Sequence, residues 1–97
     1  MIRHIVMWKF KEGTQEQARQ FLEGLKSLQG QIPQLKAMEI GVSCSEENEF
    51  DAVLTADFDS MEDLKAYQQD PRHLRVSALC KAIRLERAAV DFTVEKP

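Results

Sequence analysis

Residues Ile2 to Phe10 constrain the fold more than any other stretch of this sequence. They alternate as a strand does: His4, Val6, Trp8 and Phe10 fall on one side, Arg3, Ile5, Met7 and Lys9 on the other. Both sets are apolar at their centres. A strand wetted on one side carries polar residues there, so this one is expected to be covered on both faces, in the middle of a sheet. Phe50 to Phe58 repeats the arrangement, with Phe50, Ala52, Leu54, Ala56 and Phe58 against Asp51, Val53, Thr55 and Asp57. Leu35 to Val42 also alternates, but Ala37, Glu39 and Gly41 make one side much more polar, as on an edge strand. Ala88, Val90, Phe92 and Val94, alternating with Ala89, Asp91 and Thr93, give a fourth strand.

Two helical stretches separate these strands. Ala18, Phe21, Leu22, Leu25 and Leu28 recur at helical spacing behind a Thr14-x-x-Gln17 capping box. Gly30 is the expected C′ residue, and Pro33 prevents resumption. Ser60-x-x-Asp63 opens a second helix carrying Met61, Leu64 and Tyr67. Asp70-Pro71 ends it and caps a third segment, whose inward stripe reads Val76, Leu79, Cys80 and Ile83. The order β-α-β-β-α-β, with the second helix broken in two, predicts an α+β, ferredoxin-like domain with a four-stranded antiparallel sheet. Strands one and three are central in that topology, and these are the two with apolar centres on both faces. Helices can cover only one face. Ile5, Met7 and Val53 on the other are too apolar to stay wet, which predicts a homodimer packed sheet to sheet as a closed barrel.

Length and composition narrow the function classes. Ninety-seven residues suit one domain, spanning 1–97, with no room for a second. A net charge of −3 without a basic stripe argues against nucleic acid or an anionic membrane as partner. The first residues are interrupted by Lys9 and Lys11 and do not read as a signal peptide, and no apolar run is long enough to span a bilayer. Cys44 and Cys80 are too few for a disulfide scaffold and form no CxxC, so two reduced thiols in a cytoplasmic protein are expected. No nucleotide-binding loop or metal-ligand spacing occurs, so neither a cofactor nor a metal is expected.

Tyr67 and His73 form the one suggestive constellation. Tyr67 lies on the apolar stripe before the Asp70-Pro71 break, and His73 on the inward stripe after it, so both could face a cavity under the helices. His4 shares a sheet face with Val6 and Trp8 and would border the same space. A neutral imidazole is a suitable base near neutral pH, and a phenol beside it can hold a substrate oxygen. The same residues would equally serve as a packing tyrosine and a first-turn histidine, and the pattern alone does not choose.

The opening His4-Ile5-Val6-Met7-Trp8-Lys9-Phe10-Lys11 resembles the start of the stress-responsive dimeric α/β barrel (Dabb, A/B barrel) family. So do Ile32-Pro33, Glu39-Ile40-Gly41, Phe50-Asp51, Phe58-Asp59-Ser60, Leu64-x-x-Tyr67, Pro71-x-His73 and Val90-Asp91-Phe92, in order along nearly the whole chain. The resemblance implies the same fold and homodimer. It implies a stress-response protein of unassigned activity that binds a small hydrophobic molecule between helices and sheet, against a wall of His4, Val6, Trp8, Phe21, Leu22, Leu25 and Leu54. Resemblance to olivetolic acid cyclase-like members at Tyr67 and His73 implies an alternative, a cofactor-independent acid–base enzyme of polyketide cyclase or lyase type. His73 would then be the base and Tyr67 the group orienting the substrate. The chain departs from the family pattern at Ala52, where a histidine is frequent, at Asp70 before Pro71, and at Trp8, where the wall residue is usually smaller. The space left beneath the helices therefore becomes the deciding quantity.

Overall fold

The computed structural model describes residues 1–95, so the last two positions of the expected domain lie outside the described residues. The elements run β1 (Ile2–Phe10), α1 (Gln15–Ser27), β2 (Ala37–Val42), β3 (Ala52–Phe58), α2 (Met61–Gln69), α3 (Pro71–Ile83) and β4 (Arg84–Thr93). The strands form one sheet in the order β2-β3-β1-β4, and every neighbouring pair is antiparallel. This is the ferredoxin-like α+β fold. The two strands with apolar centres on both sides hold the middle of the sheet, and the more polar β2 takes an edge.

Register assigns the faces, because directly opposed residues point the same way. His4 sits between Ala56 and Asp91, Val6 between Leu54 and Ala89, and Trp8 between Ala52 and Arg87. The helices cover this face: His4, Val6, Trp8, Ala52, Leu54, Ala56 and Phe58 are all 5% exposed or less. The first helix supplies Phe21, Leu22 and Leu25 to the core, and α2 supplies Leu64 and Tyr67. Each such side chain contributes about 1.5–3 kcal/mol of burial free energy, offset by the entropy of ordering it. Helices α1 and α3 meet at Gly24 and Val76. A Cβ at residue 24 would stand 3.2 Å from a Val76 methyl, so the missing side chain is what allows so close an approach.

Local signals fare unevenly. Ser60 accepts from the Asp63 N–H at 3.1 Å and Asp70 from the Arg72 N–H at 2.8 Å, so both expected caps form, with Pro71 in the first turn of α3. The Thr14–Gln17 capping box does not. Thr14 occupies the N-cap with φ −111° and ψ 24°, outside the extended conformation that aims an N-cap hydroxyl at the helix. Its hydroxyl donates instead to the Lys11 carbonyl at 2.6 Å. Gly30 adopts φ +88°, which favours glycine, but one position beyond the C′ site expected of it, since Leu28 is the C-cap. Leu79 is 45% exposed rather than inward, because α3 packs mainly on α1 and α2 and buries a narrower arc than its apolar spacing suggests.

Candidate functional site

His73 occupies the third position of α3, just past the break between the helices. Its Nδ1 lies 3.2 Å from the Gln68 carbonyl. That carbonyl belongs to the last turn of α2, where acceptors lack intrahelical partners, and the N–H four residues on, at Arg72, is held by Asp70. A carbonyl only accepts, so Nδ1 carries the proton and Nε2 is left as the acceptor. Burial lowers the His73 pKa from its ordinary 6.5, against an upward pull from the Gln68 carbonyl, and favours the neutral ring.

Tyr67 packs at a tilt against His73, with ring centroids 4.5 Å apart, and against Phe58 at 5.1 Å. The tyrosine is 1% exposed, and its hydroxyl is buried without a hydrogen-bond partner among the described residues. Burial raises its pKa well above the ordinary 10.0, so it is a neutral O–H donor. An unpaired buried hydroxyl costs about 1–3 kcal/mol. Natural folds retain few such groups, and each is accounted for by strain, by a functional role or by a bound water or ion.

From the sheet side, His4 contributes a second imidazole, 4% exposed, whose Nδ1 lies 2.5 Å from Asp91 Oδ1. This contact follows from strand register, since His4 and Asp91 are directly opposed. The carboxylate fixes the ring's orientation.

These groups converge on a cavity of about 50 Å³ between helices and sheet. Seven of the nine residues expected at the site border it: His4, Val6, Trp8, Phe21, Leu25, Leu54 and His73. Tyr67 stands behind His73 and does not border it, and Leu22, buried in the core, borders a separate groove between α1 and residues 43–48. The space holds a few waters or a ligand of a few heavy atoms, well short of the roughly 300 Å³ at which drug-sized sites begin. The Trp8 indole, edge to face with Phe21 at 5.0 Å, fills much of the remainder.

Sequence reasoning missed the polar half of the lining: Gln68, Ser77, Arg84 and Arg87, with Asp91 behind His4. Pairing β1 against β4 would have found Asp91, whereas Gln68 enters through a backbone atom and leaves no trace in residue type. Cys80 is buried as expected of a core residue, and burial raises its pKa above the ordinary 9.0, which makes it a poor nucleophile.

A larger groove, about 920 Å³, runs between α1 and residues 43–48. It contains no imidazole. Its lining mixes Lys11, Arg19 and Lys26 with Glu12, Glu23 and Glu46, and Asp51 is occupied by the Phe10 N–H. It offers volume without converging chemistry. Among the described residues no group of three or more His, Cys, Asp or Glu side chains could hold a metal ion, and no helix is long and apolar enough to cross a membrane.

The comparisons with known proteins agree with this architecture. The family model for the stress-responsive A/B barrel domain matches residues 2–94. A dimeric ferredoxin-like protein of unknown function from Thermobifida fusca is 30% identical, with 96% of this chain and 90% of that one covered and a TM-score of 0.84. A dimeric protein of unknown function from Bacteroides fragilis is 23% identical over 96% and 95% of the two chains, with a TM-score of 0.88. The hydroxynitrile lyase of Passiflora edulis is 19% identical over 99% and 94%, with a TM-score of 0.85. Comparison with curated proteins gives no match.

Proposed function

This chain belongs to the stress-responsive A/B barrel domain family, and we propose that it works in the cytoplasm as a homodimer, each subunit binding a small oxygen-bearing molecule between helices and sheet. The exposed apolar side chains Met7, Val90 and Phe92 on the open sheet face support the dimer, as does the dimeric state of two of the solved structures with this fold. Both cysteines are free thiols, in keeping with a reducing compartment. A role in stress rests on family membership alone.

The ligand reading is carried by one observation, the Tyr67 hydroxyl buried without a partner. Tyr67 stands behind His73 rather than on the cavity wall, so a ligand carbonyl or hydroxyl oxygen that displaces the His73 ring would accept a hydrogen bond from this hydroxyl and recover the cost of leaving it unpaired. The cavity's size limits the ligand to a few heavy atoms, on the scale of a small ketone. The test is Tyr67→Phe. Deleting an orphaned hydroxyl should raise the stability of the free protein by about 1–2 kcal/mol while weakening acetone or 2-butanone binding about tenfold, read by thermal denaturation and NMR titration. A destabilised variant with unchanged ketone affinity would mean that the hydroxyl serves packing only.

A second reading, acid–base catalysis with His73 as base and Tyr67 orienting the substrate, is favoured by the Nδ1 contact to Gln68, which leaves Nε2 free to accept. Such a base would exchange the protons next to the carbonyl of a bound ketone with solvent deuterium. His73→Gln should abolish that exchange with the dimer intact. Undiminished exchange would dispose of His73 as the base.

A further inference from the structure

The charges around the cavity are of one sign. Arg84, at the α3–β4 corner, and Arg87, on β4 opposite Trp8, both border it, and among the described residues no carboxylate does. Asp91 is engaged with His4 and Asp70 with Arg72, while Glu86, paired with Lys9, lies on the opposite side of the sheet. Among the described residues neither Arg84 nor Arg87 forms an ion pair, whereas Arg3, Arg19 and Arg72 all do. Arg87 is exposed while bordering the cavity, so the space reaches the surface there. Both arginines pair with residues of the helix-covered side of the sheet, Arg84 with Phe10 and Arg87 with Trp8, away from the face assigned to the second subunit.

We infer that the ligand of this cavity is an anion, a short carboxylate carrying a carbonyl or hydroxyl oxygen, with Arg84 and Arg87 holding the carboxylate at the rim and the imidazoles meeting the rest of the molecule inside. The inference rests on the small-molecule reading above and adds the ligand's charge. A guanidinium matches a carboxylate through parallel N–H donors, giving direction as well as attraction. The arginines' field reaches inward. Burial dominates the titration of Cys80 and raises it, but Arg84 and Arg87 both oppose that rise, and Arg87 adds to the lowering of His73 that burial begins. A bound carboxylate would compensate this positive field.

The experiment titrates the full chain at low ionic strength with two matched pairs, acetate against acetamide and pyruvate against pyruvamide. Each pair keeps its shape and changes its charge. The carboxylates are expected to bind at least about tenfold more tightly than the amides, the difference a charge-assisted hydrogen bond supplies, and 0.5 M salt should erode that preference. Arg87→Gln should remove most of it and weaken pyruvamide binding far less. Arg84→Gln should do the same. If Arg84→Gln fails to fold, the exposed Arg87 position decides. Equal affinity within both pairs would overturn the anion while leaving the small-molecule reading intact, and a preference that survives Arg87→Gln undiminished would overturn the arginines as the groups that hold the carboxylate. Absence of binding by all four at millimolar concentration would overturn both.

Discussion

The two faces of the sheet are built from the same strands and from similar apolar side chains, yet they stand in opposite conditions. On the helix side Val6, Trp8, Leu54 and Phe58 are almost fully buried; on the other, Met7 is 36% exposed, Val90 55% and Phe92 41%. The helices α1, α2 and α3 cover the first face and leave the second open. The apolar surface of the first is satisfied within the chain, so damage there should register as lost folding stability. That of the second has no partner within the chain, so on our reading damage there should register as lost association. The open face also carries Arg3 and Asp57, directly opposed on β1 and β3 and joined by two hydrogen bonds of 2.8 and 3.1 Å, a polar pair that can flank an interface.

Adjacent residues on β1 give the sharpest test of this contrast. Trp8→Ala removes a core indole and should destabilise the subunit by about 3–5 kcal/mol in denaturant unfolding, and it should enlarge the cavity. Met7→Ala, one residue away on the open face, should change the stability of the isolated subunit by less than about 0.5 kcal/mol. Comparable losses from both would erase the distinction. Next in size, Met7→Asp places a charge in the proposed interface, where its desolvation is uncompensated. The subunits should separate, halving the mass by light scattering with the circular dichroism unchanged. An unaltered mass would move the interface elsewhere.

The smallest effect is one of pH on the covered face. Burial lowers the His73 pKa below its ordinary 6.5, so the unfolded chain binds more protons than the folded one between those two values. Stability should therefore be fully present above about pH 6.5, fall as pH drops through the window, and level off below the folded-state value. His73→Gln should flatten this segment of the stability profile; an unchanged slope would assign it to other groups.

Much of this was legible in the chain itself, and where it was not, the reason is locality. Strand and helix periods, the Ser60 and Asp70 caps and the two-sided apolar centres of β1 and β3 depend on near neighbours. They identified the elements, their order in the sheet and the face on which His4, Val6 and Trp8 lie. The Thr14 capping box failed because backbone angles, rather than residue type, decide whether a hydroxyl meets its N–H. The approach of α1 to α3 was invisible because Gly24 looked like any isolated glycine until Val76 was set against it. His4 could be assigned to the cavity wall from its alternation, but Asp91 behind it lies 87 positions along the chain, joined only through the β1–β4 register.

The sequence by itself determined that this chain forms a four-stranded sheet with helices on one side and an apolar face on the other, because those features follow from periodicity and from the cost of wetting apolar surface. It also determined the family. Only the tertiary structure decided that Trp8 and Phe21 leave about 50 Å³, and that among the described residues the Tyr67 hydroxyl lies buried without a partner and two arginines without ion pairs border the space. Cavity volume is a small difference between large packed volumes, and a polar group is satisfied or orphaned according to atoms far away in sequence, so neither can be read from a local pattern.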